Sequence, residues 1–392
     1  MALLEMIGLG GDKQAVVLDI GEAYTKIGFA GETVPRHIIS SKVKRLVGNE
    51  LLEVSVMGVN ASEAELYKTL RDFLHTIYFK YLLVNPKERK VVIVESILCP
   101  VKFRNTLARV LFTYFDVVSV MLAPSHLLAL FTLGVPSALV VDCGYSESLV
   151  VPIYEHTPIL SAIESFQTGG KAIHKQLQEN LLSATGQNMD EEIIENIKAT
   201  VCFVGRHKEP EENLPPAVEY TVGHGMKITI DGKLRAHSFD CMFDGDEEGK
   251  SLATYILDAI SRCPIDCRKT LSENILLMGG TSMAPGFKAR LLAEIKDQLN
   301  TGFYSKKLAF KSVKICQPPV QANYISWLGA AIYGMLETLS EYSITREKYK
   351  EKPFLPDWAS LTSTNIQNDK QLSDAKVKVS SYRKSVSQSG KP

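Results

Sequence analysis

The chain has 392 residues, with 44 Lys+Arg against 44 Asp+Glu and a hydrophobic fraction of 45%. That is enough apolar material for one large core or two lobes of ordinary domain size. The zero formal charge argues against nucleic acid or an anionic membrane as the main partner. Seven Cys, an odd number without framework spacing, read as reduced intracellular thiols. Cys263 and Cys267 are four apart but lack two further ligands for a zinc site.

In chain order, residues 1–13 carry no basic segment followed by a long apolar run, so no signal peptide is expected. The apolar run Ala15–Leu18 leads into Asp19-Ile20-Gly21, and a return run follows at residues 25–30. Two β-type runs joined by a short polar turn predict a hairpin. Leu66–Tyr81 and Arg104–Phe115 are apolar at helical spacing, with a short strand Val91–Val94 between them. The stretch Val117–Val141 has no charged residue and is long enough to span a bilayer. Its prolines, glycine and polar residues divide it instead into a helix over Ser125–Leu133 and a strand over Ala138–Val141.

The opening pattern then repeats. Asp142-Cys143-Gly144 follows the second apolar run, and Leu149–Tyr154 returns. A buried strand ending in Asp-x-Gly, a turn and a return strand thus occur twice, 123 residues apart, which outlines a duplicated domain. Helices are expected over Ala172–Leu182, Glu191–Val204, Ser251–Ser261 and Phe287–Leu299, and strands over Met226–Ile230 and Ile275–Met278. The last of these strands ends in Gly279-Gly280-Thr281-Ser282-Met283. Alternating strands and helices mean an α/β protein with largely covered sheets. Lys208–Pro216 reads as a surface loop. The Ser- and Lys-rich tail cannot offset its ordering entropy and is expected to be disordered.

Two Asp-x-Gly hairpins form the parts of a phosphate clamp. Glycine lets backbone N–H groups approach phosphate oxygens. Asp19 and Asp142 can hold a hydrated Mg²⁺. Lys26 supplies a point charge. At the strand-to-helix turn, Gly279 and Gly280 allow backbone to lie against an adenine or α-phosphate. Each piece alone is ordinarily a turn or a solvated lysine; the ordered set is the signal.

The set resembles the actin, Hsp70 and sugar-kinase superfamily. Lys26–Glu32 with Pro35-Arg36, Pro152–Glu155, Ile265–Lys269, Gly279–Met283 with Pro285-Gly286, and Trp327-Leu328-Gly329 narrow the resemblance to the actin-related protein family, over residues 13 to 358. Glu95–Pro100, Leu122–Leu127 and Asp142–Ser148 are similar to its dynactin branch. The resemblance implies a two-lobed actin-like α/β fold with a duplicated core and a central nucleotide cleft. Residues 1–36, 61–133 and 326–360 would form subdomain 1, with 37–60 a shortened subdomain 2. Subdomain 3 would be 134–168 and 249–325, subdomain 4 would be 169–248, and 361–392 a tail. The resemblance also implies ATP or ADP with Mg, bound by Asp19, Gly21, Lys26, Asp142, Gly144, Gly170, Lys198, Gly279, Gly280, Thr281, Ser282 and Met283. The metal would be held through water by Asp19 and Asp142. The implied partners are the actin-related filament of dynactin, its other pointed-end subunits and, indirectly, dynein, in the cytoplasm.

Departures from the family pattern carry their own expectations. Where conventional actin has a Gln, a His and a second Asp to position the attacking water, this chain has Ser125, Leu149 and Tyr145. Leucine cannot orient a water, so hydrolysis is expected to be very slow or absent. Glu22-Ala23 replaces the usual Ser-Gly. A carboxylate about 4 Å from a phosphate costs roughly 1 to 4 kcal/mol, and Ala23 disfavours positive φ. Asn323 replaces a Lys near the adenine, and Ala199 a ribose-contacting Glu. The interval 37–60 is about half the family length, and it normally carries the loop that reaches the next subunit. The expected role is therefore a non-catalytic pointed-end cap. The competing readings are a nucleotide-hydrolysing enzyme of the superfamily, which needs an acidic base in the second hairpin, and a nuclear actin-related protein of a chromatin-remodelling complex.

Overall fold

The computed structural model describes residues 13–355 except 48–49, 59–60, 223–224, 302, 337–338 and 354. The predicted tail and residues 1–12 lie outside the described residues. The chain divides into two compact units, one of residues up to 134 together with those from 324 onward, the other of residues 135–323.

In the first unit, the fully buried Val16, Val17 and Leu18 build β1 (Val16–Ile20), which returns as β2 (Tyr24–Phe29). The hairpin register places Asp19 opposite Lys26. The edge strand β3 (His37–Ser40) follows. A separate two-stranded hairpin, β4 (Lys42–Val47) with β5 (Glu50–Ser55), comes next. On the other side of β1 lie β6 (Lys90–Glu95) and β7 (Ser119–Pro124), both parallel. The strand Ile344–Thr345 closes that edge.

Helix α1 (Glu63–Thr76) starts in a capping box. Ser62 Oγ accepts from Glu65 N–H, and Glu65 Oε2 accepts from Ser62 N–H. Such caps contribute about 1 kcal/mol. The helix continues as π-helical turns over Ile77–Leu82 and stops where Leu83 takes φ 54°. Helix α2 (Val101–Arg109) likewise ends in a π-helical segment, Val110–Tyr114. Both predicted helices are therefore present with a widened last turn. Helix α3 (Ser125–Leu133) ends on Gly134 at φ 65°, so the charge-free stretch is the predicted helix and strand. No helix among the described residues is long and apolar enough to cross a membrane.

The Trp-Leu-Gly motif has a packing explanation. Trp327, in the helix Ile325–Tyr333, is fully buried, and its Nε1–H donates to Val17 O at 3.3 Å. A Cβ at Gly28 would lie 2.7 Å from the Trp327 ring. A Cβ at Gly329 would lie 2.0 Å from Leu128 O. One glycine makes room for the indole on the strand, and the other lets two helices approach closely.

The second unit repeats the plan. β8 (Ala138–Cys143) returns as β9 (Ser148–Tyr154), which also pairs with β10 (Thr157–Pro158) and β11 (Glu164–Phe166). Helices α4 (Gly170–Thr185) and α5 (Glu191–Thr200) precede the hairpin of β12 (Val218–Val222) with β13 (Met226–Ile230). α5 ends four residues before the predicted limit, where Val201 adopts φ −113°. α6 (Gly232–His237), α7 (Leu252–Arg262) and α8 (Ile265–Glu273) lead to β14 (Ile275–Met278), parallel to β8. α9 (Phe287–Asn300) follows. In both units the first hairpin strand has a later parallel neighbour at its other edge. Asp19 is registered with Val94, and Asp142 with Met278.

Candidate functional site

The first Asp-x-Gly turn is built from its own backbone. Gly21 N–H donates to Tyr24 O at 3.2 Å, and a Cβ at Gly21 would sit 2.9 Å from that same oxygen. Only glycine fits a turn this tight. Asp19 Oδ2 and Lys26 Nζ are 3.2 Å apart, each side chain 16% exposed. The antiparallel register brings them to the same face, so the proposed metal-holding carboxylate and the proposed phosphate-binding ammonium are each other's counterions. Ala23 is not among the residues with positive φ, so the strain expected there does not arise. Instead its carbonyl accepts Ser41 N–H at 2.9 Å, and Thr25 and Ser41 share a buried hydroxyl contact at 2.7 Å.

The second turn is held from three sides. Gly144 N–H donates to Glu147 O at 3.0 Å. Gly144 O accepts Gly170 N–H at 3.0 Å and Thr281 Oγ1 at 2.8 Å. Tyr145 O accepts Lys171 N–H at 2.7 Å. The first N–H groups of α4, which could otherwise face an anion, are thus spent on the turn. Gly279 has φ 88°, and a Cβ there would lie 2.2 Å from Cys143 O and 2.8 Å from Asp142 Oδ1. A glycine is obligatory where β14 and β8 come together at their ends. Gly280, by contrast, faces open space. Ser282 Oγ closes the 3₁₀ turn Thr281–Met283 by donating to Gly279 O at 2.8 Å, and Met283 is exposed.

The second unit therefore brings Asp142, Gly144, Gly170, Gly279 and Thr281 together. Lys198 joins them through side chains that the sequence reading passed over. Tyr145 Oη donates to Glu191 Oε1 at 2.9 Å and lies 3.5 Å from His174 Nδ1. His174 Nε2 is 2.5 Å from Glu195 Oε2 and 2.9 Å from Lys198 Nζ. Lys198 in turn donates to Glu195 at 2.6 Å. Burial works to raise the Glu195 pKa, but hydrogen bonds from His174 and Lys198 overcome it and hold the carboxyl at about 2. Lys198 is committed to this cluster, which ties the second turn to α4 and α5. The spacings were legible: His174 is one turn after Gly170, and Glu195 and Lys198 are three apart on one helix.

Two of the three residues expected at the water-positioning places are buried. Leu149 is buried in β9 opposite Asp142. Ser125 is buried, with Oγ 3.0 Å from His126 Nδ1. His126 is itself buried, and burial lowers its pKa to about 4. Asn323 follows Ala322, whose carbonyl accepts Gly279 N–H at 3.0 Å. Its Oδ1 is buried without a hydrogen-bond partner among the described residues. That orphan acceptor beside the glycine turn fits a ligand with an amino donor. The N–H groups of Gly21 and Gly144 are spent inside their own turns, so the phosphate fit of the first turn rests on the Lys26 ammonium.

Glycine turns at the ends of two β-hairpins, each with a later parallel strand at its other edge, define a duplicated α/β protein. The sequence pattern described as Actin matches residues 10–353. Actin-related protein 10 of Dictyostelium discoideum is 30% identical over an alignment of 442 residues, covering 93% of this chain and 92% of that protein. The chain belongs to the actin family and is an actin-related protein with an actin-like fold.

Proposed function

We propose that the chain is a structural, non-catalytic subunit that caps the pointed end of the actin-like filament of dynactin. In this role it docks neighbouring pointed-end subunits and supports dynein-based transport in the cytoplasm. The carrying observation is the short interval 37–60 between the first hairpin and α1, of whose 24 residues β3, β4 and β5 take up 16. A filament grows by repeated head-to-tail contacts. A subunit whose connecting segment is this short, with its described residues paired into a hairpin, binds at one end and lacks the chain length to reach the next subunit.

In this reading the four-subdomain division follows the family, and both Asp-x-Gly turns contact the phosphates of ATP or ADP with Mg. Asp19 and Asp142 act through water. Lys26 exchanges its Asp19 contact for a shared one with phosphate. Gly279, Gly280 and the Asn323 carbonyl oxygen take the base side. Buried Leu149 and the engaged Ser125 hydroxyl leave the attacking water without its orienting groups, which favours a retained rather than hydrolysed nucleotide.

The test is to purify the full chain natively, denature it and separate the released nucleotide by chromatography, alongside sedimentation with dynactin. Intact ATP at about one per chain, with turnover far below that of conventional actin, is the expected result. Turnover comparable to actin overturns the non-catalytic reading, and failure to sediment with dynactin overturns the cap.

A further inference from the structure

From Gln298 to Leu336 the chain carries no Asp or Glu, yet it contains Lys306, Lys307, Lys311 and Lys314. All four are exposed, and none makes an ion pair among the described residues. Phe303 opens the same segment, 63% exposed, with Lys307 Nζ 4.8 Å from its ring centroid. The segment is fixed by its buried side. Tyr304 and Leu308 enter the core of the second unit, and Tyr304 Oη donates to Asp258 at 2.8 Å. Lys314 N–H donates to Ser272 O, and Cys316 N–H to Ile275 O. Lys288 of α9 and Lys314 both lie close enough to Cys316 to act on its thiol.

The acids of α9 do not neutralise this patch. Glu294 is held by Arg290 and His207, and Asp297 by Lys208 and His207. In a chain with no net charge, the four lysines and the exposed ring therefore fall in one short segment whose lysines have no ion-pair partner among the described residues.

We propose that the segment Phe303–Lys314 is a docking surface for an acidic segment of another protein, with Phe303, against Lys307, as the apolar anchor. Its charge selects the occupant. The chain's own residues 370–392 carry six Lys/Arg against one Asp and would be repelled. Four lysines with a ring on which an apolar side chain can pack fit a carboxylate-rich peptide surface. The inference rests on the proposed role only in taking that protein to be a subunit of the same assembly.

The experiment uses the full-length tagged chain in cells. Lys306→Glu, Lys307→Glu and Lys311→Glu are combined in one variant, and Lys→Arg at the same positions in a second. Phe303→Ala is a third. Matching thermal melts establish that each is folded. Lysates are sedimented at low and moderate salt, and the wild-type assembly is treated with a carbodiimide, which joins lysine amines to carboxylates in direct contact.

Reversing three charges against an acidic partner is expected to weaken association at least ~tenfold and to move that variant to the free-chain position. The arginine variant stays in the assembly. Phe303→Ala leaves it only at moderate salt, where screening removes part of the electrostatic attraction. Carbodiimide is expected to couple these lysines to Asp or Glu of a different polypeptide. A glutamate variant that sediments like wild type overturns the proposal. So does coupling only within the chain or to a second copy. If wild type does not enter a dynactin assembly, the proposed cap fails, while the cross-link still decides the docking surface.

Discussion

Substituting Gly28 by Ala places a methyl 2.7 Å from both the Trp327 ring and Glu32 Oε2, and 3.2 Å from Arg36 N. Trp327 cannot move away freely, because it is fully buried and donates its indole N–H to Val17 O. Glu32 is also committed, accepting Phe29 N–H at 2.8 Å and the Arg36 guanidinium at 2.5 Å. Overpacking of this kind costs about 1–3 kcal/mol, less a few tenths regained because Ala is more restricted than Gly in the unfolded chain. Trp327→Phe removes part of the obstruction and leaves a cavity and one hydrogen bond fewer to Val17 O, itself costing about 1–3 kcal/mol. If the clash is between this ring and the new methyl, the double variant is more stable than the sum of the single losses by about 1 kcal/mol. Urea unfolding followed by far-ultraviolet circular dichroism measures all four proteins. Strict additivity would refute the packing account of the two motifs.

Two further outcomes follow from buried charge. Glu95 and Arg104 form an ion pair at 3.1 Å, with side chains 3% and 9% exposed. Glu95→Gln strands the guanidinium and is expected to cost about 3–5 kcal/mol, whereas Glu95→Met with Arg104→Met costs far less; urea midpoints compare them. His126 has a folded pKa of about 4, against the ordinary 6.5, because burial disfavours its charged form. The unfolded chain therefore binds the extra proton first as pH falls. The stability this neutral ring contributes is complete above pH about 6.5 and is lost as pH falls through 6.5 toward 4, by roughly 3 kcal/mol. His126→Gln is expected to flatten that part of the pH–stability curve, and an unchanged slope would assign it to other groups.

Much of the site was legible because its chemistry is local. An Asp at a strand end, a glycine in a two-strand turn and a glycine pair after a buried strand are set by backbone sterics over a few residues. The Asp19–Lys26 pairing follows from hairpin register alone. The Glu95–Pro100 segment was visible as a motif, but its meaning was not. Only the fold brings Arg104 to Glu95, and burial then pushes the neighbouring Cys99 thiol up to about 12, with Glu95 adding to the shift. Lys198 was identified, yet its commitment to Glu195 and His174 needed α4 and α5 side by side.

By itself the sequence determined the order of elements, the duplicated hairpins and the family, because periodicity and glycine placement act within short windows. The tertiary structure decided what the glycines are for. Gly28 and Trp327 are 299 positions apart, and Gly279 must admit the Cys143 carbonyl from a strand far upstream. Steric exclusion between distant segments leaves no periodic trace, so it appears only when the chain is packed.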